Sequence, residues 1–221
     1  MRLTLAMKPI TALAFMVALT TSDSFSQTAP PKPAAATSEE AKVLSEVMGF
    51  MLGQTVVENA RMKAAAARAE AGKVFDFASA KTKADIATRR KILEEFVATS
   101  KSADVFLDGM EKTLRAQLAT ARVSNAAKEE MVAGFMKGMN KKLPLKKAIH
   151  SAERTCAATA GEIYALLDAE WGNWKADGKG VITFKKKPAL DKFNAGLRTI
   201  REALAKQDTA EKQLSAIDQK K

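Results

Sequence analysis

Beyond residue 37 the chain places an apolar residue every three or four positions almost without a break, the period of an amphipathic helix. Thr37 and Glu40 have capping-box spacing, so the pattern predicts a first helix from Ser38 to a glycine stop at Gly72. A second helical region spans Ala80 to Val123. Its seam is Ile86, Leu93, Phe96, Ser100, Ala103, Leu107, Met110, Leu114, Leu118 and Ala121, in steps of three or four with one step of seven. Such a seam suits a long helix packed lengthwise on its neighbours. Ser124 or Asn125 restarts a short helix that runs to Lys142, where Pro144 is expected to break it. A fourth helix over 145–175 lines up Ile149, Ala152, Cys156, Ala160, Ile163, Leu167 and Trp174. The fifth opens with Pro188 in its first turn and carries Leu190, Phe193, Leu197, Ile200 and Leu204. A short last helix follows Thr209.

Two short sequences recur. "GFMLG" (Gly49 to Gly53) returns as "GFMKG" (Gly134 to Gly138), each inside a predicted helix. Glycine costs about 1 kcal/mol against alanine there, so the pairs need a reason. Close helix crossings at Gly49, Gly53, Gly134 and Gly138 supply one, with Phe50 and Phe135 filling the core nearby. Similarly, "GKVFDF" (Gly72 to Phe77) is echoed by "GKGVITF" (Gly178 to Phe184). Valine, phenylalanine and isoleucine favour extended backbone, so Val74–Phe77 and Val181–Phe184 read as short extended connectors. They are expected side by side at one end, paired as a minimal ladder, with Trp171 and Trp174 plugging that end. The fold class is therefore all-α: an antiparallel bundle of about four long helices with short accessory helices.

The first 37 residues differ in kind. Arg2 and Lys8 precede the uncharged run Pro9 to Thr21, and Ser24 and Ser26 are small residues two apart. That is the pattern of a secretory signal over 1–26, cleaved after Ser26. The run falls short of the ~20 apolar residues that span a bilayer. Residues 27–37, "QTAPPKPAAAT", form a disordered spacer, leaving 38–221 as one domain. An exported chain with a single cysteine has no internal disulfide, and Cys156 lies mid-stripe as a small core residue.

The net charge is +11, unevenly placed. Residues 124–150 hold six lysines against two acids, and residues 175–206 hold nine basic residues against three acids. Aromatics are not interleaved with these lysines as stacking platforms would be, which argues against nucleic acid. Attraction to an anionic polymer or lipid surface fits better.

The lone histidine excludes much chemistry. His150 can serve neither a di-iron bundle site, nor a zinc protease motif, nor a Cys-x-x-Cys-His haem attachment. It reads as a solvated residue near a helix start. Glu39–Glu40, Glu94–Glu95 and Glu129–Glu130 are adjacent pairs that diverge on a helix. The start of a calcium loop at Asp177 has lysine and valine where oxygen ligands belong. Met48 with Met51, and Met136 with Met139, set thioethers three apart on one face, a soft pattern that suits Cu(I) or core filling.

These patterns support an exported, non-enzymatic binding bundle of the bacterial envelope, periplasmic or extracellular, acting as a scaffold, adaptor or accessory subunit. Lys141, Lys142, Lys146, Lys147, Lys185, Lys186 and Lys187 are its candidate contacts with an anionic partner. The alternatives are a holdase-type chaperone and a copper-binding bundle using Met48, Met51, Met136 and Met139. No catalytic residue, cofactor, nucleic-acid partner or membrane-spanning segment of the mature chain is expected.

Overall fold

The computed structural model describes residues 36–177 and 179–219. The leader and most of the spacer lie outside them. Four long helices make up most of the described chain: α1 (Ser38–Ala71), α2 (Lys83–Thr120), α3 (Asn125–Ala169) and α4 (Lys187–Gln219). A 3-10 turn, Phe77–Ser79, sits between α1 and α2. A two-stranded hairpin, β1 (Trp174–Ala176) and β2 (Ile182–Phe184), sits between α3 and α4. No described helix is long and apolar enough to cross a membrane.

Three of the four helices start where a side chain satisfies the first free backbone N–H groups. Thr37 with Glu40 and Thr82 with Asp85 form complete capping boxes, and Ser124 caps α3. Glu40 also accepts from the Ser124 backbone at 2.7 Å, tying the start of α1 to the start of α3. These bonds hold its carboxyl down at about 2, the Thr37 and Ser124 backbone N–H groups contributing most.

Polar contacts between successive helices descend in mirror order, which makes them antiparallel. From α2 to α3, Ser100 meets His150, Asp108 meets Lys147 and Arg115 meets Glu129. From α3 to α4, Cys156 meets Ile200, and Lys142 meets Asp218. The predicted α2 seam is buried from Ile86 to Leu118, and only Ala121 falls outside it.

Four expectations give way. Pro144 does not break the chain: α3 runs through it for 45 residues, about 68 Å at 1.5 Å per residue. The proline ring faces solvent, while Met139, Lys142 and Lys146 on the inner face are buried. Packing on both sides outweighs the lost backbone bond. Pro144→Ala should therefore stabilise the protein by about 2 kcal/mol and raise Tm by roughly 4–8 °C, seen in a thermal melt. An unchanged Tm overturns that reading. Likewise, no break occurs at Thr209, and α4 is one helix to Gln219.

The extended connectors do not pair with each other. Val74–Phe77 is a turn leading into 3-10 geometry, and the ladder is local to the second connector, with Trp174 opposite Phe184 and Ala176 opposite Ile182. A local hairpin closes a much shorter loop than a pairing of connectors a hundred residues apart. Side chains join the connectors instead. Phe77 stacks near Tyr164 and Phe193 (5.1 and 6.0 Å between centroids), and Phe184 reaches Phe193 at 5.5 Å. At Gly72 the requirement is room: a Cβ would lie 2.7 Å from Ile92 Cδ1. The left-handed residue there is Lys73, at φ 50°.

The paired glycines were the fourth. A Cβ on Gly49, Gly53 or Gly138 would meet nothing within 4 Å, and Phe50 is 42 % exposed. These three do not mark crossings inside the bundle. Phe135 is partly buried against the core. The close approach occurs at Gly196 of α4, where a Cβ would come 2.9 Å from Ile163 Cγ1 of α3.

Candidate functional site

Two regions carry polar chemistry that packing alone does not require. The first is the end of the bundle where both connectors meet. α3 stops at Ala169, earlier than its pattern suggested, and Trp171 and Trp174 follow in the turn and in β1. The rings meet edge to face at 5.7 Å. Trp174 Nε1 donates to the Leu167 carbonyl at 2.8 Å, capping a free α3 carbonyl, whereas Trp171 stays 38 % exposed. Both line a shallow groove with Ala78, Ala80, Lys81, Lys175 and Ala176. The hairpin loop is fixed by Asp177, whose carboxylate accepts from the backbones of Lys179 and Val181, and by Gly180 at φ 81°. Both bonds converge on Asp177 Oδ1.

Arg89 anchors this end from α2. It occupies the seven-residue step of the seam, is 9 % exposed, and donates to Asp76 O (2.6 Å), Ser79 Oγ (2.8 Å) and Tyr164 Oη (3.0 Å). Burial pushes the Tyr164 phenol up to about 12, with the Arg89 bond opposing.

The second region is a polar layer at mid-bundle. One apolar core gathers Met62 to Ala69, Ile86 to Ala103, Cys156 to Leu167 and Phe193 to Ala203; the other gathers Leu44 to Met51, Leu107 to Leu118 and Ala127 to Met139. Between them lie Thr55 and Glu58 of α1, Asp104 of α2, Lys142, Lys146, His150, Glu153 and Arg154 of α3, and Gln207 and Glu211 of α4. Asp104 is clamped by His150 Nδ1 at 2.7 Å and Arg154 Nη1 at 2.6 Å. Gln207 Nε2 donates to Glu211 at 2.8 Å. Glu153, 0 % exposed, has no protein hydrogen-bond partner at either oxygen, and one oxygen each of Glu58 and Gln207 is likewise unpartnered. Glu58, Lys146, His150 and Glu153 line a narrow cavity of ≈ 30 Å³, room for about one or two waters. Burial pushes the Glu153 carboxyl up to about 8, Glu211 and Asp104 adding to the push and Arg154 opposing it. The His150 imidazole is moved down by burial, against the pull of Asp104. His150 is thus an interior residue of a continuous helix, not a solvated one at a helix start.

The remaining candidates fall into place by location. Met48, Met51 and Met139 are buried in the second core with Met110 and Met131, and Met136 packs against it, where flexible thioethers fill gaps. The Cys156 thiol is fully buried and pushed by burial up to about 12, far from the thiolate a nucleophile needs. Among the described residues no three His, Cys, Asp or Glu side chains converge as a metal site.

The two lysine groups part company. Lys142 and Lys146 are interior, Lys142 paired with Asp218, and Lys147 pairs with Asp108; Lys141 is solvent-facing. Lys185 and Lys187 are exposed beside the tryptophan groove, and Lys186 reaches Glu170 at 3.1 Å. The geometry defines an all-α antiparallel four-helix bundle with a basic, tryptophan-bearing end. No protein-family model, curated protein or solved structure matches the chain.

Proposed function

We propose that the protein is a non-enzymatic binding bundle of a bacterial envelope that applies its connector end to an anionic lipid surface. One observation carries this reading: exposed Trp171 and the exposed lysines 81, 175, 179, 185 and 187 share that end. Tryptophan beside lysine suits a membrane–water boundary, where the ring sits among headgroups and the ammonium groups meet phosphate. A soluble anionic polymer would use the lysines and leave the indole idle. Export comes from the leader pattern, which places the chain where such surfaces lie.

The test is binding to vesicles of anionic phospholipid against vesicles of neutral lipid, followed by tryptophan fluorescence. Wild type should bind the anionic vesicles with a blue shift. Each exposed lysine is worth about 1 kcal/mol near such a surface, and Lys186 less because Glu170 holds it. Charge reversal at Lys185, Lys186 and Lys187 should therefore weaken binding by about 100-fold or more. Equal affinity of the triple variant, or binding without any change in the indole signal, overturns the proposal.

A further inference from the structure

The bundle leaves one apolar seam of α1 without a partner. Val43, Phe50, Val57 and Ala64 recur at seven-residue intervals, the repeat of a coiled-coil seam. All four lie on the side away from the core. Phe50 is 42 % and Val57 49 % exposed, Ala64 is exposed and Val43 half-buried. Gly53 lies along the same face with open space above it, so another backbone can come close there.

The charges bordering this seam are ordered. Glu39 and Glu46 lie on it in the N-terminal half, Arg61 and Arg68 in the C-terminal half, and all four are exposed. About a point between Gly53 and Gln54 the face is its own complement. Reversed end for end, it sets Glu39 against Arg68, Val43 against Ala64, Glu46 against Arg61 and Phe50 against Val57. Arg68 pairs with Glu95 on exposed side chains, and such a pair exchanges partners at little cost; Arg61 is itself exposed and reaches the buried Glu58 from the rim of the same face.

We propose that this face is the interface of a homodimer, two copies of α1 packed antiparallel about a two-fold axis at Gly53–Gln54. A two-fold interface requires a self-complementary patch. Parallel packing would set acids against acids and arginines against arginines, so charge selects the antiparallel arrangement.

Sedimentation of the processed chain over a wide concentration range is the experiment, with circular dichroism to confirm that each variant is folded. Wild type should sediment as a dimer. Val57→Glu, at an exposed position, should yield a folded monomer. Glu39→Arg alone should weaken the dimer at least about tenfold by facing arginine with arginine, and adding Arg68→Glu should restore it. A wild-type monomer at every concentration, a dimer indifferent to Val57→Glu, or a double swap that fails to rescue the single one each overturns the proposal.

Discussion

Gly196→Leu is expected to lower Tm by roughly 6–12 °C, and Gly49→Ala to raise it by roughly 2–4 °C. Both glycines lie in helix interiors, where the alanine preference alone is worth about 1 kcal/mol. Gly49 faces open space, so that gain is kept. Gly196 faces Ile163, 3 % exposed and fixed between α3 and α4. A Cβ at 2.9 and 3.0 Å from its Cγ1 and Cδ1 forces the two helices apart. A leucine there adds three further carbons and costs about 3 kcal/mol, the upper end of ordinary overpacking. Gly196→Ala and Ile163→Ala should cost less together than the sum of their separate costs, because the two sites share one contact. Thermal melts of these variants check the set, and a harmless Gly196→Leu would mean α3 and α4 are not in close contact there.

Stability should fall as pH rises from about 6.5 to 8.5, by about 2 kcal/mol, and Glu153→Gln should abolish the fall. The Glu153 carboxyl titrates near 8 when folded against 4.5 in the unfolded chain. Between those values the folded state holds the extra proton, so raising pH favours unfolding. His150 has the opposite sign: its folded value is lowered from 6.5, so below 6.5 the unfolded chain takes up the proton first and stability falls with falling pH. The Glu153 and His150 slopes oppose each other below pH 6.5; Glu211, also raised by burial, slopes in the same direction as Glu153, the carboxyl that still titrates near 8. Glutamine keeps the shape of the neutral acid and has nothing to lose at pH 8. Denaturant titrations at the two pH values decide the matter; an equal fall in Glu153→Gln would assign it to another group.

Local chemistry made the fold legible. The Thr37–Glu40 box, the α2 seam and Pro188 in the first turn of α4 each act within a few residues, so each can be read in place. What depends on distant partners was hidden. Pro144 looks like a break until α3 is seen packed on both sides of it. Glycine spacing at Gly49 and Gly53 says that a helix face is smooth, not which way it points. The gap in the α2 seam was itself a signal, since Arg89 fills it, but its bonds go to residues 76, 79 and 164. Glu58 and Glu153 sit at core positions where charge hides the period; Met51, Thr55, Glu58 and Met62 are all buried at steps of three and four. At the connector end, the lysines and tryptophans were legible as types, while their gathering on one groove depended on where α3 ends.

The mid-bundle polar layer also fixes the lengthwise alignment of the helices. α3 and α4 meet along seams rich in small residues, Ala152, Cys156, Ala157 and Ala160 facing Ile200 and Ala203, which offer little resistance to sliding by one turn. A slide of α3 by about 5.4 Å would pull His150 and Arg154 off Asp104 of α2 and carry Glu153 out of the layer toward an apolar core. The layer works as an index mark, a second one beside the seat of Ile163 on Gly196. It gives up some burial energy at one height, and in return holds the helix ends, the hairpin and the tryptophan groove at a single position relative to one another.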